Sequence, residues 1–128
     1  MAEPAGDVLF LDLRAGGAIG LEKLFPAPGY FVAYIDGASI QDKAALMAAL
    51  AAAFRFPAYF GRNWDALLDC LRSLPDEIPA KGYVLAIKSS KTFLAGSPAD
   101  LEAFSYIAAE AKKFLGDRIK AEFKIAML

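Results

Sequence analysis

The sequence contains no histidine. That removes the commonest general base, the commonest transition-metal ligand and every Ser–His or Cys–His nucleophile pair. Cys70 is the single cysteine. No internal disulfide can form, and a cytoplasmic setting is expected. One thiol without imidazole also makes a zinc site unexpected, and no cofactor is called for. The formal net charge is −1 and Lys and Arg are scattered, so neither nucleic acid nor a membrane surface is an expected partner. The longest apolar run, residues 44–54, falls well short of the roughly 20 residues that cross a bilayer. The opening MAEPAGDVLFLDL has no basic residues ahead of its short apolar part, which carries Asp12. It makes a poor signal peptide. Internal repeats, low-complexity tails and blocks of like charge are also missing. These absences argue against an enzyme before any motif is read.

What remains is a chain of 128 residues, 57% of them hydrophobic, with a mean hydropathy of +0.37. That length suits one core. Strand-like runs cover residues 8–13, 30–35, 83–87 and 119–127. The run at 83–87 is continuously apolar and fits a strand covered on both faces. The last run alternates. Ile119, Ala121, Phe123, Ile125 and Met127 fall on one side, with Lys120, Glu122 and Lys124 on the other, which predicts one wet face.

Helical periodicity fills the gaps. In residues 41–54, Leu46, Met47, Leu50, Ala53 and Phe54 share a side. In residues 63–74, Trp64, Leu67, Leu68, Leu71 and Leu74 form a narrow arc, with Asn63 as N-cap and Pro75 as the stop. In residues 98–115 the apolar set is Leu101, Phe104, Ile107, Ala108, Ala111, Phe114 and Leu115. Ser97 is the expected cap, Pro98 the first helical residue and Gly116 the stop. Strand, two helices, strand, helix, strand predicts an α/β fold with a mainly parallel sheet and helices on both faces.

The stretch YFGRNWDALLDC, residues 59–70, carries the most information. Asp65 and Asp69 are four residues apart, neighbours on one helix face, where like charges cost roughly 0.2–0.5 kcal/mol. Asp65 is in the first turn and is favoured by the macrodipole. Asp69 is in mid-helix and gains little, with Arg72 three residues on as a partial counter-charge. Two readings are open. The stripe Asp65, Asp69, Arg72, Ser73 is a solvated helix face, or it is a negative patch offered to a cationic partner that normally holds phosphates. Exposed aromatics would supply such a patch with anchor area. Phe60 is assigned to the core, and Tyr59 fits either role. A carboxylate-pair enzyme is disfavoured, because two acids on one exposed face cannot straddle a substrate bond. Cys70 reads as a half-buried structural thiol.

The same stretch, continued as YFGRNWDALLDCL, resembles the central motif of the barstar family of ribonuclease inhibitors: Tyr-aromatic-Gly, a variable residue, Asn, a large apolar residue, Asp-Ala-Leu, another large residue, Asp-Cys-Leu. YIDGASIQDKAALMAAL is similar to the family's first strand, turn and first helix. EAKK at 110–113 is similar to its late helix. The resemblance covers residues 31–128. It implies a small three-stranded parallel sheet with helices packed on it. Residues 1–29 are an extension that the prototype lacks, in which residues 8–13 read as an added strand and residues 21–25 as a short helical turn. The family-like domain is then residues 30–128. It also implies a bacterial immunity protein that plugs the active site of an extracellular-type ribonuclease or related toxin. By resemblance the contact residues are Tyr59, Gly61, Asn63, Trp64, Asp65, Leu68, Asp69 and Glu110. Asp69 would stand in for a substrate phosphate, Asp65 would pair with a cation at the rim, and Glu110 would face the enzyme from the late helix. The helical count agrees on Glu110, about 180° from Leu101 and on the polar side.

This chain departs from the family's prototype. Arg62 replaces an acid, Trp64 a leucine and Leu68 a tryptophan, and Arg72 adds a cation. Arg62 and Arg72 would repel a uniformly basic rim and pair instead with acids of a different toxin. A binding module of this fold with a partner other than a nuclease is the alternative reading.

Overall fold

The computed structural model of the protein describes residues 8–14 and 20–128. Residues 1–7 and 15–19 of the expected extension lie outside them. In chain order the elements are β1 Phe10–Asp12, α1 Leu21–Leu24, β2 Tyr30–Asp36, α2 Lys43–Ala53, α3 Trp64–Arg72, α4 Leu74–Glu77, β3 Gly82–Lys88, α5 Pro98–Phe114 and β4 Glu122–Met127. The described strands form one sheet in the order β1-β4-β3-β2, and every neighbouring pair is parallel. Parallel neighbours need long crossovers. Helices α2, α3 and α4 make the one from β2 to β3, and α5 makes the one from β3 to β4. The expected three-stranded parallel sheet is there, and β1 is the added N-terminal strand.

Period-two alternation distributes the core. Ala33, Ile35, Tyr83, Leu85, Ile87, Phe123 and Ile125 point to one face, where they pack with the buried residues of α2, α3 and α5. Val84, Ala86 and Ala126 point to the other, under Leu21 and Phe25 of the extension. The predicted wet face of the last strand is therefore a misreading. Lys124 is only 4% exposed, and its Nζ donates to the Val8 carbonyl at 3.4 Å. From Lys124 to Ala126 that side of β4 lies under the extension, an arrangement that period-two patterning within one strand does not reveal. Glu122 stays exposed and accepts from the Tyr30 hydroxyl at 2.8 Å. The Tyr30 ring crosses Gly82 to reach it. A Cβ on Gly82 would sit 2.6 Å from that ring, so glycine is what lets β2 reach across β3 to β4.

The ends of the helices follow local chemistry. Asp42 caps α2, accepting from the Ala45 N–H at 2.9 Å. Ser97 stands at the N-cap of α5 as expected, but its side chain makes no capping bond. Its hydroxyl donates to Asp100 Oδ2 at 2.7 Å instead. Gly116 does not stop that helix. The chain runs on as a π-type turn, Leu115–Ile119, and reverses at Lys120 in the left-handed region, φ 62°. Ile119 is consequently exposed in that turn and is not the first residue of β4. Pro75 lies in the first turn of α4, behind the end of α3 at Ser73.

Candidate partner-binding face

The loop that leads into α3 is fixed from inside. Phe54 stacks on Phe56 at a centroid distance of 5.9 Å, and Phe56 meets Phe60 edge-on at 5.0 Å. Phe60 is 9% exposed, whereas its neighbour Tyr59 is 81% exposed. The two aromatics thus divide their roles: Phe60 holds the loop on the core, and Tyr59 stands in solvent. Arg55 and Arg62 bound the loop with positive φ, 56° each. Gly61 is exposed, and a Cβ there would approach Asn63 Nδ2 at 3.3 Å.

Asn63 then starts α3. Its Oδ1 accepts from the Ala66 N–H at 2.8 Å, as its position in the sequence predicts. That cap orients everything that follows. Leu67, Leu71 and Leu74 are fully buried, which turns Asp65 and Asp69 outward. Both acids are exposed, and neither is in an ion pair among the described residues. Arg72 is not the counter-charge expected for Asp69. Its guanidinium lies over the Phe114 ring, 5.2 Å from the centroid, on the side of α3 that meets α5.

Asp69 and Tyr59 line one groove of about 70 Å³ between the loop and α3, together with Arg55, Cys70, Ser73 and Glu77. Burial pushes the Cys70 thiol upward in pKa, and the charges of Asp69 and Glu77 push it further. Such a thiol is a packing group and a poor nucleophile. Trp64 and Leu68 are half-buried and pack against the core. The exposed part of the Trp64 ring has Lys43 Nζ at 5.9 Å from its centroid. Glu110 is half-buried on α5 and lines a separate groove with Arg72 and Phe114. Of the eight residues singled out in the sequence, Tyr59, Gly61, Asn63, Asp65 and Asp69 are exposed, with Tyr59 and Asp69 on one groove, Trp64 and Leu68 are half-buried, and Glu110 lines another groove with Arg72. Glu77 went unnoticed. Its spacing of eight residues from Asp69 is a helical signal, but it bridges two helices and a cap.

This geometry is a helix with two exposed carboxylates that make no ion pair among the described residues, an exposed tyrosine on the loop before it and a floor of packed aromatic rings. Among the described residues no group of three or more His, Cys, Asp or Glu side chains is placed to hold a metal ion, and no helix is long and apolar enough to cross a membrane. The family model of Barstar (barnase inhibitor) matches residues 30–127. The chain belongs to the barstar family. The match begins at the first residue of β2 and ends at the last of β4, so β1 and α1 stand outside the region that defines a barstar. Barstar-family proteins are ribonuclease inhibitors, with a protein as the target. No curated protein matches the chain.

Proposed function

We propose that this barstar-family chain is an immunity protein that inhibits an extracellular-type ribonuclease or related toxin in the cytoplasm of the cell that makes it. Residues 30–128 are the inhibitory unit. The face formed by Tyr59, Gly61, Asn63, Asp65 and Asp69 enters the enzyme's cationic cleft, with Trp64 and Leu68 at its edge and Glu110 reaching in from α5. Asp69 takes the place of a substrate phosphate among the enzyme's Arg and Lys side chains. Asp65 pairs nearer the rim, and Tyr59 supplies the apolar anchor. No chemistry is performed and no cofactor is needed, because occlusion is enough.

One observation carries this reading: Asp65 and Asp69 are neighbouring like charges on α3, and among the described residues neither has an ion-pair partner. A pair that gains nothing locally is retained where an external cation supplies the gain. The test is binding to barnase, used as the probe ribonuclease, by calorimetry at low and high salt. Asp69→Ala is expected to cost about 2–5 kcal/mol of binding, roughly 30- to several-thousand-fold in Kd. The thermal midpoint should hardly change, because the side chain is exposed. Equal inhibition by variant and parent would defeat the reading. The net charge of −1 favours a second reading, a partner that is not a nuclease. Binding that is indifferent to Asp69 and to salt would favour it.

A further inference from the structure

The acidic face does not grade into plain solvent on its α5 side. It borders a groove of about 260 Å³ lined by Arg72, Glu110, Lys113, Phe114, Asp117 and Arg118. Two guanidiniums share the Phe114 ring: Arg72 at 5.2 Å from its centroid and Arg118 at 5.7 Å. Cation–π contact of this kind restrains a long side chain while leaving its outer Nη donors available. Arg72 Nε is buried with no hydrogen-bond partner, so the stem of that side chain is packed in place.

The groove also contains carboxylates, yet they do not neutralise the cations. Among the described residues, Arg72, Lys113 and Arg118 make no ion pair with Glu110, Asp117 or any other acid. Three cations face two carboxylates here. Their charge is not spent on an ion pair among the described residues. A carboxylate arriving from outside would meet two forks already held in position, which lowers the ordering cost of the pairing.

We propose that Arg72 and Arg118, held on Phe114, receive a carboxylate of the ribonuclease partner, an Asp or Glu on the rim of its cleft opposite α5. This rests on the reading of the neighbouring acidic face as the ribonuclease-binding surface. Recognition then uses both signs at once. Asp69 enters the cationic cleft, and a short distance away the partner must change sign to suit the paired arginines. A ribonuclease with a basic residue at that rim position meets like charges and is rejected. Arg72 and Arg118 are thus specificity-determining residues, and Phe114 is a positioning residue that acts through them.

The experiment is a displayed library of catalytically inactivated barnase, randomised at the rim of its active-site cleft. It is sorted on the full chain and on its Arg118→Glu and Arg72→Glu variants. Arg118 is exposed, so the first variant keeps the test sound if the second melts early. On the parent chain, Asp and Glu are expected to be enriched at a rim position. On the charge-reversed chains, that enrichment should vanish or turn to Lys and Arg. An acidic binder selected on the parent should lose about tenfold in affinity for Arg118→Glu. Lack of acidic enrichment, or the same enrichment on Arg118→Glu, overturns the proposal. If binders are found that need Asp69 but show no preference for a rim acid, only this proposal falls. If no member binds the parent chain, the inhibitor reading falls with it.

Discussion

At the level of single residues, Tyr59 and Phe60 are chemically alike, adjacent in sequence and opposite in role. Tyr59 is in solvent, while Phe60 is buried against Phe56. Truncating a buried phenylalanine costs about 3–5 kcal/mol through lost transfer energy and a residual cavity. Phe60→Ala should therefore lower the denaturant midpoint strongly. Tyr59→Ala should leave stability within about 0.5 kcal/mol while weakening ribonuclease binding by more than about 1 kcal/mol if it is an anchor. Chemical denaturation and calorimetry on both variants give the contrast, and a destabilised Tyr59→Ala would contradict the structure. The sequence left Tyr59 undecided for a physical reason. Two aromatics before a glycine have no periodicity, and their division of labour depends on Phe54 and Phe56 across the loop. The outward position of Asp65 and Asp69 was legible, because helical phase follows directly from Leu67, Leu71 and Leu74.

At the level of elements, α3 is set by its N-cap, and that was readable from Asn63 alone. Losing a capping side chain costs about 0.5–2 kcal/mol. Asn63→Ala is expected to destabilise by about 1 kcal/mol, and Asn63→Asp to restore most of it; equal melting of the parent and Asn63→Ala would contradict the cap. The sheet makes a second prediction, for alkaline pH. Burial raises the Tyr30 pKa above 10.0, and its hydrogen bond to Glu122 adds to the shift. Burial also raises that of Tyr83. A raised folded-state pKa means that the unfolded chain ionises first. The stabilisation is intact below pH 10.0 and is lost as pH rises through the raised values. Tyrosinate absorbance followed against folded fraction should show unfolding above that point, and Tyr30→Phe should shift its onset upward. That variant also forfeits the bond to Glu122, worth about 1 kcal/mol. Where the sequence misled, the determining partner was remote. On the expected wet face of β4, Lys124 and Ala126 are covered by residues about a hundred positions away, and Gly116 lost its stop to the left-handed Lys120.

For the whole molecule, the family-matching region leaves one face of its sheet to be closed by the chain before it. Leu21 and Phe25 are buried on Val84, Ala86 and Ala126, and β1 pairs with β4 from Phe10↔Ile125 to Asp12↔Met127. Burying each of those two side chains contributes about 1.5–3 kcal/mol. A domain of this size has about 5–15 kcal/mol in total, so the extension supplies a substantial share. Its removal also leaves the Lys124 side chain on an opened apolar face. Deleting residues 1–29 should therefore lower the denaturant midpoint markedly and promote association through the exposed sheet. The acidic face should respond differently, because α3 and its loop pack on the opposite side of the sheet. Under conditions where the truncated chain is still folded, its affinity for a ribonuclease should stay within about threefold of the parent, a difference of roughly 0.7 kcal/mol, and should still depend on Asp69. Unchanged stability would mean that the second face needs no cover. A loss of binding in a folded truncated chain would instead make the extension part of the partner-binding surface.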